Sequence, residues 1–443
     1  MTTPSTPPAT ARNALFRDRN FAWMMSGAAL SMLGDQFSLI ALPWLVLQMT
    51  GDTLVLGTVL ALISVPRALF ILAGGALVDR HSPKQVLMLT KHINTLLLGV
   101  LAALVLTDNL SLWLVYLLAL GIGLATAFSI PSGTAMMPSV VRPEQLQAAN
   151  SVMLGLRQVS MFLGPLLAGL LIALSGNREG AGASGAVPIA DATGIGLAFA
   201  FDAFTFALSA WTLSKVQQHA RAAGPGAAGP AVLTAIAEGL RAFWRDVPLR
   251  TCFLYWAAIA VLVTGPVQIA LPVLASSQPN LGAAALGVML GAHGAGTLLG
   301  MVLAGIKPRL RVGTLGTTIL LVDALVGLLF IPMGQISAAW QGAALLLAIG
   351  LLSGFLHVAV FTWLQRRVPP ALLGRAMSLF MFIFMGLAPM SAALTGWVLR
   401  SLSLGQLFAA SGGLLVAITV LTFAASQMRQ VSDAPMAGAD ARR

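Results

Sequence analysis

Apolar residues in this chain fall in long unbroken runs, not at the two-residue spacing of a half-buried strand or in the narrow stripe of a surface helix. Twelve such runs can be traced, at 21–49, 54–78, 86–107, 110–136, 147–174, 194–214, 250–275, 283–306, 312–332, 338–364, 372–399 and 403–427. Each reaches the ~20 residues that a helix needs to cross a hydrocarbon layer ~30 Å thick. In that layer only helices and closed barrels satisfy their own backbone groups. The pattern predicts an all-α membrane protein with twelve transmembrane helices. The first run far exceeds the ~7–15 apolar residues of a secretion signal, and no small-residue cleavage site follows it, so it is expected to persist as a span.

Composition agrees with the pattern, since 58% of residues are apolar and only 9% are charged. Charge adds orientation. The formal net charge of +11 does not form one patch but alternates from loop to loop. Arg12, Arg17 and Arg19 precede the first run; Arg80 and Lys84 follow the second, Arg142 the fourth, and Lys215, Arg221, Arg241 and Arg245 the sixth. Lys307, Arg309 and Arg311 follow the eighth, Arg366 and Arg367 the tenth, and Arg429, Arg442 and Arg443 the last. The intervening loops hold only Arg178 and Arg400. The positive-inside rule then puts both termini in the cytoplasm. A basic chain of this kind is not read as a nucleic-acid binder, because its charge follows the membrane topology. Cys252 is the only cysteine, which excludes an internal disulfide and a cysteine metal cluster.

The longest polar stretch, 215–249, opens on AAGPGAAGP, a linker composition, and continues with Leu233, Ile236, Leu240, Phe243 and Val247 at helical spacing. Trp244 and the arginines on the other side suit an interfacial helix; a linker helix packed under the bundle fits the same pattern. This stretch divides the chain into a tail (1–20), a first bundle of six helices (21–214), the linker (215–249), a second bundle of six (250–427) and a closing tail (428–443). The halves repeat each other. IALP occurs at Ile40–Pro43 and at Ile269–Pro272, LGTVL (Leu56–Leu60) aligns with LGVML (Leu286–Leu290), and VRPEQLQAANS (Val141–Ser151) aligns with VPPALLGRAMS (Val368–Ser378). Parallel repeats of this sort build secondary transporters that rock two bundles about a midplane site.

The stretch GALVDRHSPK, Gly75–Lys84, resembles the signature loop between helices 2 and 3 of the major facilitator superfamily, G-x-L-x-D-R-x-G-R-K/R. Gly75, Leu77, Asp79, Arg80 and Lys84 match, while Ser82 and Pro83 depart from it. The resemblance implies a cytoplasmic latch between helices 2 and 11, in which Asp79 meets the positive end of a helix. An ordinary positive-inside loop accounts for Arg80 and Lys84 but not for Asp79. Ser151–Gly169 is similar to the superfamily's antiporter motif in helix 5: Gly164, Pro165 and Gly169 match, and Ser151, Ser160 and Ala168 stand in for glycines. In that family the motif accompanies export more than uptake. The helix 4 arginine of the drug–proton antiporters is missing, since Leu117 and Leu120 occupy its R-x-x-q positions. The stretches SMLGDQFSLIALPWLVLQMTG and IPSGTAMMPSVVRPEQLQAANS resemble the branch of macrolide-efflux proteins and enterobactin exporters.

Charge inside a span is costly, roughly 2.5–3.5 kcal/mol on insertion scales, so it marks either an internal pair or an aqueous site. Asp35, Arg67 and Arg157 are such charges, and their repeat partners Thr264, Thr297 and Phe384 carry none. An ion pair fixing helix 1 to helix 2 is one reading. The other is a cavity site where Asp35 exchanges a proton beside Arg67; Gln36 and Gln158 neighbour these charges, and supporting them is the expected role ahead of hydrogen-bonding the substrate. Asp202, Asp323, His293 and His357 are read as structural. Phe380, Met381 and Phe384 offer a soft apolar surface suited to varied ligands, and lipid-facing packing explains them equally well. Ser353 and His357 lie one turn apart, but no hydrolase, zinc or phosphate-binding motif accompanies them. The sequence therefore points to a monomeric exporter in the inner membrane that moves amphipathic or hydrophobic small molecules against protons, with no cofactor, metal or nucleic acid. A dedicated exporter of one metabolite such as a siderophore, or a lipid transporter, is the alternative reading, and a membrane enzyme or a channel a remote one.

Overall fold

The computed structural model describes residues 15–431 except Phe16, His81, 176–190, 218–243, Arg245, Arg309, 369–375, Ser378 and Met381; for 68, 70–80, 143 and 385 it describes the backbone. Among the described residues every regular element is a helix. The helices are α1 (Arg19–Thr50), α2 (Thr53–Arg80), α3 (Pro83–Leu106), α4 (Leu112–Val140), α5 (Leu146–Ser175) and α6 (Ala192–Lys215). They continue with α7 (Val247–Ser277), α8 (Ala283–Ile306), α9 (Leu315–Gln335), α10 (Ala339–Arg367), α11 (Phe382–Val398) and α12 (Leu404–Ala425). Ten of these are long and apolar enough to cross a membrane. The second and eleventh expected spans fall on α2 and α11, whose described apolar stretches, Thr53–Arg67 and Phe382–Val398, are shorter. The linker helix expected before Trp244 lies outside the described residues.

Helix limits follow local chemistry. Asp18 caps α1 by accepting from Asn20 N (2.8 Å) and Phe21 N (3.4 Å). The helix ends where Gly51 enters the left-handed region (φ 63°) and its N–H bonds Leu47 O. Asp246 caps α7 through Leu249 N (3.0 Å) and also pairs with Arg367 at the end of α10 (3.2 Å).

The chain divides into two compact units. One holds Met1–Asp52, Leu62–Ala222 and Gly282–Gly291; the other holds Thr53–Ala61, Ala223–Leu281 and Ala292–Arg443. The start of α2 thus belongs with the second unit and the start of α8 with the first. Glycines make both placements possible. Gly57 lies against Ala392 and Gly396 of α11, and Thr53 Oγ1 donates to Gly396 O (3.0 Å). Gly169 of α5 lies against Ala283 O and Gly287 of α8.

Within the first unit, Gly27, Ser31, Gly34 and Ser38 form a small-residue stripe along α1, and it packs on Thr212, Ser209, Thr205 and Asp202 of α6. Lipid does not drive helices together by the hydrophobic effect, so close backbone approach and interhelical hydrogen bonds carry this contact. A Cβ on Gly34 would stand 2.5 Å from Asp202 Oδ1 and nearer still to Thr205 Oγ1. Gly34→Ala is therefore expected to lower stability by about 1–3 kcal/mol. Gly99, with nothing within 4 Å, should accept alanine at no cost. Thermal unfolding of the two variants in detergent checks the contrast.

Within the second unit, Ser391 of α11, fully buried, enters the hydrogen-bond ladder of α7: its Oγ accepts from Gly265 N (2.7 Å) and donates to Val261 O. Those two backbone groups would otherwise bond each other, and α7 runs on as a π-helical turn at Pro266–Ala270. Tyr255 (α7) donates to Asp323 of α9 (2.9 Å) and lies 3.4 Å from Thr419 Oγ1 of α12, tying three helices at depth.

Candidate functional site

Ser31, Asp35 and Ser38 recur on α1 at the spacing that stacks side chains on one helix face. The two serines fix what that face meets. Ser31 Oγ accepts from Lys91 Nζ of α3 (3.2 Å), and Ser38 Oγ donates to Asp202 Oδ2 of α6. Asp202 also receives Thr205 Oγ1 on its other oxygen (3.4 Å). Lys91 is 7% exposed and its ammonium lies 5.4 Å from the centre of the Phe206 ring, a favourable approach of cation to π-face. Asp35 stands between the serines, within electrostatic range of Lys91 and, more weakly, of Arg67. Its side chain is exposed. Asp202, by contrast, is 1% exposed.

The other sequence-selected residues separate into three places. Arg67 makes no ion pair within 4.0 Å among the described residues; its interaction with Asp35 is through space. The structure thus brings Asp35 toward Lys91 first, and the direct Asp35–Arg67 pair is not formed. Gln36 lies against Gly164 of α5, whose missing Cβ would fall 2.4 Å from Gln36 Cβ. Pro165, Ser160 and Gly169 are buried, Ser151 is exposed, and Gln158 is buried with Oε1 unpartnered. Arg157 is exposed.

Of the latch residues, the side chains of Gly75, Asp79 and Arg80 lie outside the described part. Lys84 is within it and turns to α6, donating to Ser214 O (3.1 Å) and Val216 O (2.7 Å). It satisfies carbonyls that a helix end leaves free. Phe380 is 3% exposed and packs edge-on to Trp256 (5.6 Å). Phe384, at 39%, is the exposed member of the pair, 4.8 Å from Phe380. Met381 lies outside the described residues. His357 stacks on Phe361 at 6.0 Å.

Lys91 is the residue that sequence reasoning missed. It lies inside the expected 86–107 span, but Thr90, His92 and Asn94 around it make the segment read as a polar helix end. Its signal was position alone, two turns past the start of α3.

Long apolar helices with ionisable groups held between them at depth define a polytopic α-helical membrane protein of the solute-carrier kind. The chain belongs to the Major Facilitator Superfamily, whose family model matches residues 24–393. It is 27% identical to the enterobactin exporter EntS of Salmonella typhimurium strain LT2 over 366 residues, 81% of this chain and 80% of that protein. It is 28% identical to macrolide efflux protein A of Streptococcus pyogenes over 151 residues, a match that spans 34% of this chain and only 37% of that relative. Among solved structures, the nucleoside transporter NupG superposes with a TM-score of 0.67 at 14% identity, covering 94% of this chain and all 100% of that one. A bacterial homologue of the iron transporter ferroportin superposes with a TM-score of 0.65 at 16% identity, covering 94% and 99%. At these identities the superpositions establish the fold.

Proposed function

We propose that the protein is a proton-coupled exporter of amphipathic or hydrophobic small molecules, working by alternating access in the bacterial inner membrane. Asp35 carries the reading: an exposed carboxylate at mid-span, within electrostatic range of a buried cation, suits a proton taken up on one side and released on the other. In this reading the first and second bundles are 21–214 and 250–427, with twelve spans and both termini cytoplasmic. The Gly57–Gly396 and Gly169–Gly287 approaches join a helix of one repeat to a helix of the other at the ends assigned outside, which supports rocking about a midplane site. A gene-deletion strain tests the reading. It should gain sensitivity to toxic amphiphiles, and accumulation of those compounds in the parent should rise on adding a protonophore. An unchanged profile in both arms would reject it.

The match along 80% of EntS supports a second reading, a dedicated exporter of one metabolite such as a siderophore; the same panel would then show one responsive compound. A lipid transporter would respond to none of the soluble ones.

Topology is open to direct measurement. Reporter fusions at Ser82 and Ala223 are expected to read cytoplasmic, and fusions at Gly180 and Asn280 external; an external Ala223 would overturn the two-bundle arrangement. The latch is a separate expectation. Asp79→Asn should insert and fold normally but transport more slowly, because the charge lost is worth roughly 0.3–1 kcal/mol beside a helix N-terminus. Transport at the unmodified rate would reduce the loop to a topology signal.

A further inference from the structure

Arg157 differs from the other charges at membrane depth. It sits in the interior of α5 with its side chain exposed, and among the described residues it has no hydrogen bond, ion pair or ring contact. Gln147, Asn150, Ser151, Leu154 and Arg157 are all exposed and follow one another along one stripe of α5. A stripe that is polar at every position but Leu154 faces water, since lipid would leave those groups unsatisfied. It begins next to the basic Arg142 loop, the side assigned to the cytoplasm, and climbs to Arg157. The Gly164–Gln36 contact lies seven residues further on, about 10 Å along the helix.

The charges of the first unit do not balance at this depth. Asp35 and Asp202 are outnumbered by Arg67, Lys91 and Arg157. Lys91 serves both carboxylates through space, and Asp202 is further held by Ser38 and Thr205. Arg67 interacts with Asp35. Arg157 is the cation left over; Gln158, next in sequence but buried, leaves its Oε1 unpartnered. A guanidinium stays charged in any such setting and presents a planar fork that fits a carboxylate or phosphate with two parallel hydrogen bonds.

We propose that Arg157 is the receptor for an anionic group on the transported molecule, so that the preferred substrates are amphiphiles bearing a carboxylate or comparable oxyanion. The inference rests on the export reading and narrows its substrate class. The same fork would accept the headgroup of an anionic lipid, so the test separates the two sources.

The full chain is reconstituted in nanodiscs of phosphatidylcholine, and binding of fluorescein and rhodamine 123, dyes with one ring system and opposite charge, is followed by anisotropy. Fluorescein is expected to bind saturably and more tightly than rhodamine 123. Arg157→Gln should weaken fluorescein binding roughly tenfold or more while leaving rhodamine 123 unchanged, and Arg157→Lys should restore part of the loss. The rhodamine arm and the lysine variant guard against a folding defect. No saturable fluorescein binding, a preference for the cationic dye, or equal weakening of both dyes by Arg157→Gln would overturn the proposal. So would loss of fluorescein binding when phosphatidylglycerol is added to the discs, which assigns the fork to lipid. Failure of export itself is distinguishable: fluorescein would bind with the stated preference, yet neither dye would leave cells expressing the protein.

Discussion

Asp35→Asn is expected to abolish proton-driven export while leaving the helix bundle folded. Asparagine has the shape of the carboxylate and neither its charge nor its proton. Export should fall to the level of protonophore-treated cells, measured at matched membrane abundance. The bundle should persist because Asp35 makes no hydrogen bond among the described residues and stands on the open side of its cluster. Ser31 and Ser38 still join α1 to Lys91 and Asp202 in the variant. Substrate binding should survive, since the Arg157 stripe is on another helix. A variant that still exports against a proton gradient at the normal rate would eliminate Asp35 as the coupling group and move attention to Arg157 and the histidines.

Much of the fold was legible because the bilayer imposes one length on every span, and runs such as 86–107 and 338–364 have no soluble counterpart. The repeat and the loop charges added order and orientation. What lay beyond the sequence was pairing. Asp202 was visible as a charge in a span, but its partner Ser38 is 164 residues away and nothing about a serine announces it. Lys91 was hidden by its polar neighbours. Only the period of α3 carries it to Ser31 and Phe206 instead of to the interface. Gly164 was found through motif spacing, yet that Gln36 fills its missing side chain follows from the crossing of α1 and α5. Ser391 has no signal at all, because serine is ordinary in membrane helices and its insertion into the α7 ladder is a property of two helices together.

The largest effect on folding is expected at Lys91. Lys91→Met keeps most of the side chain's volume and removes its charge from a site that is 7% exposed. Two carboxylates, Asp35 and Asp202, then share a region of low dielectric without the cation that acts on both. On insertion scales a charge at this depth costs roughly 2.5–3.5 kcal/mol, and the variant should lose stability of about that size. The loss of the bond to Ser31 and of the approach to Phe206 adds less, each roughly 0.5–1.5 kcal/mol. If the cost is electrostatic, removing one of the stranded carboxylates must return part of it. Lys91→Met with Asp202→Asn should therefore be more stable than the single variants' effects added together, by about 0.5–3 kcal/mol of coupling. Asp202→Asn alone should be destabilising, since it disturbs the bonds from Ser38 and Thr205. Thermal unfolding of the four proteins of this cycle in one detergent decides the matter. Strict additivity would mean that Lys91 acts through packing alone, and that the three charges do not work as a unit.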